Sequence, residues 1–435
     1  MITTDYNIVP ICQQELADLQ VIADIPISEI SMDNYPNLLV FPNSFDSSYK
    51  NLESKTICLV AEGGKNLKTN SIVGFVGRNN TYLSIHSRFA NNGKEDYFLH
   101  YMLQQVSSLN LLNLPHSIND DYVFDFLIYM FPQYLKDAVR QGIFKEYVTK
   151  NFNEPNVKGT IDLERHIKHN IPFNGNVAYS QRCFSHDNKV TQLIRHTIEY
   201  LGSFKGADAL LSIDNDMCDA VNAIKNVTLS YRDTLRNEVV NQNLRPLAHP
   251  YFSAYVPLQR LCLQILRHEE LKYGHEKDEV YGVLIDAAWL WEEYIAKILD
   301  GKYKHYYQHI GRRFNLFENF QQIVPDYLSI DKQIVADAKY IPLDRNTVYW
   351  EEKALAIYYK TITYMYRFCT NLAYLLYPYP DRVVEIISCK IKTEVDGVNG
   401  GSIIKIGLRI PLNCKDFHDF VGRIHNSEYE FLKLV

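Results

Sequence analysis

Residues 325–340 read PDYLSIDKQIVADAKY. The stretch is mostly apolar and rich in the β-branched and aromatic residues that favour strands. Yet it carries Asp326, Asp337 and Lys339 where a core would take Val or Ile. Burying an isolated charge costs several kcal/mol unless something compensates it. Taken as two strands, QIVPDYLSI and QIVADAKYI, joined by a tight turn near Asp331 and Lys332, the segment pairs antiparallel with Asp326 opposite Asp337. Opposed positions lie roughly 4.5–5.5 Å apart at Cβ. Lys339 follows Asp337 by two residues and projects from the same face. Two carboxylates and one ammonium therefore converge on one patch.

Two carboxylates that close repel, and one should hold its proton unless a cation intervenes. Mg²⁺ resolves the conflict: it takes oxygen ligands, keeps waters, and binds through one or two carboxylates plus substrate phosphate oxygens. Lys339 cannot ligate a metal. It can hold a phosphate oxygen, orient a water, or stabilise charge developing at phosphorus. Metal-assisted phosphodiester hydrolysis is the chemistry that needs this set. The plain alternative is a surface hairpin whose Asp and Lys pair with one another. Against it stand the flanking Ile334, Val335 and Ala338, and a third carboxylate upstream. On a helix expected over 284–299, Leu284, Ala288, Trp291, Ile295 and Ile298 form one stripe. Glu292 lies at its edge. Glu293 points the other way, beside Asp286 and Lys297, and reads as solvated. Glu292 reads either as an inward carboxylate or as one half of a rim salt bridge.

Across the chain the pattern is that of a multidomain α/β protein. Its 435 residues suggest roughly two to four domains at about 150 residues each. The first, 1–95, is expected to be β-rich: KTICLVAEGG and NSIVGFVGRNNTYLSIHSRF alternate and are punctuated by Gly and Asn. The second, 96–270, is expected to be helical, with Pro132 marking a break or kink, a turn, short strand and short helix in EPNVKGTIDLERHIKHNIP, and Asp187 capping a helix through DNKVTQLIRHTIEYLGSF. Further helices are expected over 215–227 and 252–270. A polar linker covers 268–279. The third, 271–435, is expected to run helix, the charged hairpin, a long helix WEEKALAIYYKTITYMYRFCTNLAYLL, strands DRVVEIISCKIKTE and SIIKIGLRIPL, and a final helix.

Composition removes several function classes. A net charge of −6 argues against a bulk electrostatic binder of nucleic acid. A local basic patch remains in GKYKHYYQHIGRRF, where Lys302, Lys304, Arg312 and Arg313 alternate with aromatics. It suits phosphate contacts and base stacking, or else the solvent face of a strand. None of the eight cysteines forms a C-x-x-C pair, so neither a zinc site nor a disulfide framework is indicated. A polar N-terminus and the lack of any long apolar run point to a cytoplasmic protein without a membrane partner. His166 and His169 share a helix face without a third ligand and read as structural. No G-x-x-x-x-G-K-[ST] loop and no G-x-S-x-G elbow occur. The aromatic run YYKTITYMYRF reads as core and interface.

A helix Glu, then P-D on a strand, then D-x-K on the next is similar to the pattern of the PD-(D/E)xK nuclease superfamily. LWEEYIAKIL, VPDYLSI and VADAKY, in this order, resemble the nuclease domain of the McrC-type subunits of McrBC 5-methylcytosine restriction systems and their LlaJI-type relatives. IVGFVGRNNTYLSIHSRF, VKGTIDLERHI and DNKVTQLIRHTIEYL look like that family's earlier sections. The resemblance covers most of the chain, weakly before residue 70 and best from about 280 to 340. It implies a C-terminal PD-(D/E)xK nuclease domain that cuts double-stranded DNA with Mg²⁺ held by Asp326 and Asp337. Glu292 would be a supporting acid and Lys339 the catalytic lysine. It further implies a partner, an McrB-like AAA+ GTPase hexamer, which the N-terminal half engages and stimulates. The family often has Gln on the following helix where this chain has Lys360. That departure leaves two readings of Lys360, a phosphate contact or the mark of a divergent branch. Two rival functions stay open: a non-catalytic assembly factor of a ring NTPase, and a nuclease that cuts alone with Mg²⁺.

Overall fold

The alternating runs near the N-terminus form strands Ile72–Arg78 and Thr81–His86, joined by a turn in which Asn79 takes a left-handed φ of 52°. In the computed structural model the described residues are 1–30, 34–35, 37–41, 55–90, 95–106, 122–203, 208–267, 280–306, 314–318, 320–341, 348–380, 387–392 and 400–435. The expected linker over 268–279 lies outside them, as do Arg312 and Arg313. The protein is mixed α/β. Among the described residues, those up to 106 and those from 280 onward group into one unit, and those from 124 to 267 into another.

In the first unit a five-stranded sheet runs Ile2–Thr4, Thr81–His86, Ile72–Arg78, Val280–Asp286, Asn37–Phe41. A smaller sheet of Ile8–Pro10, Asn66–Thr69 and Cys58–Ala61 shares its core, in which Leu67, Cys58, Ile72, Val76 and Leu284 are buried together. The strand Val280–Asp286 corrects the expected helix over 284–299. Leu284 and Ile285 belong to this strand, and the helix spans Ala287–Ile298. All seven strand residues are buried, and a run buried on both faces has no period that separates strand from helix. Asp286 ends the strand and caps the helix, accepting from the Ala288 amide at 3.0 Å. Its carboxylate also pairs with Lys55 at 2.5 Å.

The second sheet of this unit positions the charged hairpin. Its order is Tyr303–His305, Tyr327–Ser329, Ile334–Ala338, Leu372–Pro380, Ser402–Ile410, Ile387–Lys390. Ile334–Ala338, Leu372–Pro380 and Ser402–Ile410 run parallel, and the other neighbouring pairs are antiparallel. The long helix spans Val348–Phe368 and packs Met365 against Ala373, Leu375 and Tyr377. It does not continue through Leu376 as its sequence suggests. Cys369 adopts a left-handed φ of 54°, Thr370 N–H returns to the Met365 carbonyl at 2.9 Å, and a strand buried along its interior begins at Leu372. The Ile387–Lys390 strand lies in the segment expected as DRVVEIISCKIKTE, of which 381–386 and 393–394 are outside the described residues. The final helix spans Phe417–Leu434.

The second unit holds the expected helices Lys189–Ser203, Asn215–Val227 and Tyr255–Leu266. The expected short strand and helix are Thr160–Ile161 and Leu163–Asn170, and that strand joins the edge of a sheet whose two long strands were not expected, Glu146–Glu154 and Val177–Ser185, paired antiparallel over their full length. Asn188, not Asp187, caps the Lys189 helix: its side-chain oxygen accepts from the Val190 and Thr191 amides at 3.0 and 3.2 Å. Asp187 instead accepts from Gln192 at 2.6 Å and from the Ser230 amide at 3.0 Å. His166 Nδ1 is hydrogen-bonded to Asn170 at 3.0 Å. No described helix is long and apolar enough to cross a membrane.

Candidate active site

The hairpin takes the register its hydrophobic pattern requires: Tyr327 pairs with Ala336 and Leu328 with Val335. Continued one step, this sets Asp326 across from Asp337. The turn is closed by Lys332 N–H on the Ser329 carbonyl at 2.8 Å, with Lys332 in the left-handed region at φ 59°. Ser329 Oγ accepts from the Gln333 and Ile334 amides at 3.1 and 3.0 Å, which fixes the loop length and so the register. Asp326 extends the ladder with its side chain, Oδ2 accepting from Ala338 N–H at 2.9 Å. On the neighbouring strand the Leu376 carbonyl accepts from Lys339 N–H at 2.8 Å and from Trp291 Nε1 at 3.2 Å, tying helix Ala287–Ile298 to the hairpin.

Asp326 is 2% exposed and Asp337 is fully buried. The Lys339 ammonium pairs with Asp337 Oδ2 and stands 3.8 Å from Asp326 Oδ2. Lys360, on the long helix, brings its ammonium to 3.7 Å from the other oxygen, Asp337 Oδ1. Among the described residues neither Asp337 oxygen accepts a hydrogen bond of ordinary geometry, so its compensation is ionic. Burial, with Asp337 and Glu292 adding to it, pushes the Asp326 carboxyl well above the usual carboxylate range, and the two lysines offset only part. Burial acts on Asp337 in the same sense, but there the ammonium groups of Lys339 and Lys360 prevail and hold it below its ordinary value. The two carboxylates are thus pushed in opposite directions: the ammonium groups favour the charged form of Asp337, and burial favours the neutral form of Asp326.

Glu292 stands at the rim rather than between the two Asp side chains. It is half-buried, with Oε1 at 3.2 Å from His305 Nε2. Its backbone carbonyl accepts from the Tyr327 hydroxyl, and the His305 ring lies 5.1 Å from that of Tyr327. Glu293, expected to be solvated, is half-buried too. Lys302 is exposed and donates to the Leu432 carbonyl at 2.7 Å, so it anchors the last helix. Lys304 is exposed and lies 5.4 Å from the Tyr306 ring.

Three residues at the site escaped the sequence reading. His305 holds Glu292, and Tyr364 donates to the Val324 carbonyl at 2.8 Å and faces Lys360 at 5.4 Å. Tyr340, directly after Lys339, is buried with its ring under the Arg88 guanidinium at 4.4 Å. Arg88 itself pairs with the buried Asp5 at 2.6 Å. A strand reading of 303–305 places Tyr303 and His305 on one face, which was the available signal for His305.

Among the described residues no three His, Cys, Asp or Glu side chains form a ready-made metal cluster. What the site offers is a pair: Asp337, with both oxygens buried and facing ammonium groups, and Asp326 beside it. Two carboxylates suit a hard divalent ion that fills its remaining positions with water and phosphate oxygens.

Residues 67–378 match the family model of the McrBC 5-methylcytosine restriction system component. The chain belongs to that family. The matched span of this McrBC-family chain includes Glu292, His305, the whole hairpin and Lys360. Among solved structures it is similar to a chain of the "refined half-complex from tetradecameric assembly of Thermococcus gammatolerans McrB AAA+ hexamers with bound McrC", at 16% identity over 98% of this chain and 99% of that one, with a TM-score of 0.42. It is also similar to a chain of the cryo-EM structure of the Thermococcus gammatolerans McrBC complex, at 17% identity over 70% of this chain and 89% of that one, with a TM-score of 0.29. Neither likeness is close enough to equate individual residues. Among curated proteins none matches the chain.

Proposed function

We propose that this McrBC-family chain is the DNA-cleaving subunit of its restriction system, a Mg²⁺-dependent phosphodiester hydrolase of the PD-(D/E)xK type. The observation that carries the reading is the buried Asp326–Asp337 pair with the Lys339 ammonium set against both. A fold has no stability reason to bury two carboxylates side by side. Asp326 and Asp337 would hold the ion, which when bound supplies Lewis-acid polarisation of a phosphoryl oxygen and a more acidic water.

The remaining chemistry belongs to the chain. Lys339 sits where a phosphate oxygen or the attacking water would arrive, and it stabilises charge that develops there. His305 holds Glu292 at the rim, and Glu292 adds negative potential that favours a cation over a bare Asp pair. Lys304, exposed on the outer face of its strand, offers a backbone-phosphate contact. Net charge −6 fits a subunit that leaves most of the DNA grip to others. Family membership supports the partner, an McrB-like AAA+ GTPase hexamer that supplies nucleotide hydrolysis and is stimulated by this chain.

Asp337→Ala tests the site. In the assembled complex with double-stranded DNA, Mg²⁺ and GTP, cleavage should disappear while circular dichroism and partner association stay unchanged. Lys339 and Lys360 can turn to water in this variant, since their side chains are 18% and 42% exposed. Full cutting by the variant would overturn the assignment. If the unsubstituted chain stimulates GTP turnover but never cuts, the non-catalytic assembly reading replaces this one; the two lysines capping Asp337 are the observation in its favour.

A further inference from the structure

The helix Val348–Phe368 delivers a cation that the hydrolytic reading does not require. Lys339 already faces Asp337 Oδ2, yet Lys360 places a second ammonium 3.7 Å from Oδ1. One buried carboxylate therefore carries two positive charges, one at each oxygen. The two lysines differ in how firmly they are held. Lys339 shares a strand face with Asp337, is 18% exposed and also donates to the Ala338 carbonyl at 3.1 Å. Lys360 reaches in from a separate helix and is 42% exposed. It also lies 5.4 Å from the Tyr364 ring and within the field of Asp326 and Glu292, and its flexible four-carbon stem can exchange the ring contact for water or phosphate. Lys360 is thus the more exposed of the two cations and the one carried by an element outside the hairpin.

We propose that Lys360 is a displaceable counter-ion of the cleavage site: it covers Asp337 until a divalent cation binds, then turns away from that carboxylate and holds a non-bridging oxygen of the phosphodiester. The inference rests on the metal-dependent reading above and adds a competition to it. Loading the site means exchanging Lys360 for the ion, so the chain binds metal weakly until phosphate gives the displaced ammonium a new partner. Both halves follow from charge, because an ammonium and a divalent ion cannot share one carboxylate oxygen without repulsion.

Mn²⁺ binding to the full chain, followed by titration calorimetry without DNA, reads the competition directly. Lys360→Gln keeps length and polarity but removes the charge, and it should tighten Mn²⁺ binding on the order of fivefold, the scale of a half-exposed ion pair. Lys360→Arg keeps the charge and should leave Mn²⁺ affinity near that of the parent. In the assembled complex at saturating Mn²⁺, Lys360→Gln should cut DNA more slowly than the parent, and Lys360→Arg should recover part of the rate. Asp337→Ala serves as the separate control for the ion site. If Asp337→Ala loses Mn²⁺ binding but Lys360→Gln binds no tighter than the parent, the counter-ion role is overturned and the metal site stands. If Asp337→Ala binds Mn²⁺ like the parent, both fall.

Discussion

Lys339 and Asp337 stand two residues apart on one strand, and that spacing alone brings an ammonium to a buried carboxylate. Lys360 also neutralises Asp337, so Lys339 can be removed without leaving a bare buried charge. Lys339→Ala should therefore fold and bind Mn²⁺, yet lose about 10²-fold or more in cleavage rate, the usual cost of deleting a preorganised electrostatic contact. A rate within severalfold of the parent in a single-turnover assay would deny Lys339 that role. The next residue makes a different point. Among the described residues the Tyr340 hydroxyl is buried without a hydrogen-bond partner, while its ring carries the contacts to Arg88 and Phe89. Tyr340→Phe should leave the unfolding midpoint unchanged or raise it, whereas Tyr340→Ala should cost about 3–5 kcal/mol. At this scale the sequence was most informative: period-two alternation paired Asp326, Asp337 and Lys339 correctly. It could not pair Glu292 with His305, because that contact joins a helix face to a strand face through packing, and no spacing rule encodes it.

Among the elements, several with one wet face were legible, and two buried on both faces beside a helix were not. The hairpin, the strand Ser402–Ile410 and the helix Asn215–Val227 alternate or repeat in a way that betrays their type. Val280–Asp286 and Leu372–Pro380 are buried nearly throughout, and both were absorbed into neighbouring helices. Gly282 was the overlooked clue in the first of them. Its φ is 149°, and a Cβ there would sit 2.3 Å from the Phe75 carbonyl oxygen on the paired strand. Gly282→Ala should lower stability by about 3 kcal/mol, seen as a lower urea midpoint; a midpoint equal to the parent's would mean that the strands do not pair so closely.

The last helix gives a pH signature. Glu428 accepts hydrogen bonds from Tyr101 at 2.9 Å and Tyr294 at 2.6 Å, yet burial outweighs them and raises its carboxyl above the ordinary value. A carboxyl raised in the fold penalises folding above its folded pKa, and the penalty fades as pH falls through that value toward the unfolded 4.5. Glu428→Gln should therefore be more stable than the parent at neutral and alkaline pH, with the difference closing in acid. Thermal unfolding across pH checks this, and a difference that grows on acidification would contradict it.

On the scale of the whole molecule, the two sheets of the first unit are stitched together by residues far apart in sequence. Asp5 and Arg88 lie just after strands of the N-terminal sheet, and Tyr340 follows Lys339. That assembly explains why a reading in consecutive thirds, 1–95, 96–270 and 271–435, meets a grouping in which the strand Val280–Asp286 completes the N-terminal sheet. A strand that crosses between segments leaves no composition shift to mark it. The same scale governs activity. An acidic chain should bind duplex DNA weakly by itself, and salt should weaken it further. Cleavage should therefore require the McrB-like partner and GTP. Efficient cutting by the isolated chain with Mg²⁺ would instead make it a stand-alone nuclease.

The most direct measurement is anomalous diffraction from crystals of the full chain soaked in Mn²⁺. A peak beside the carboxylates of Asp326 and Asp337, with Lys360 turned away from Asp337, is the expected result. Saturating Mn²⁺ that leaves both carboxylates bare, with Lys339 and Lys360 still closed on Asp337, would contradict the hydrolytic site.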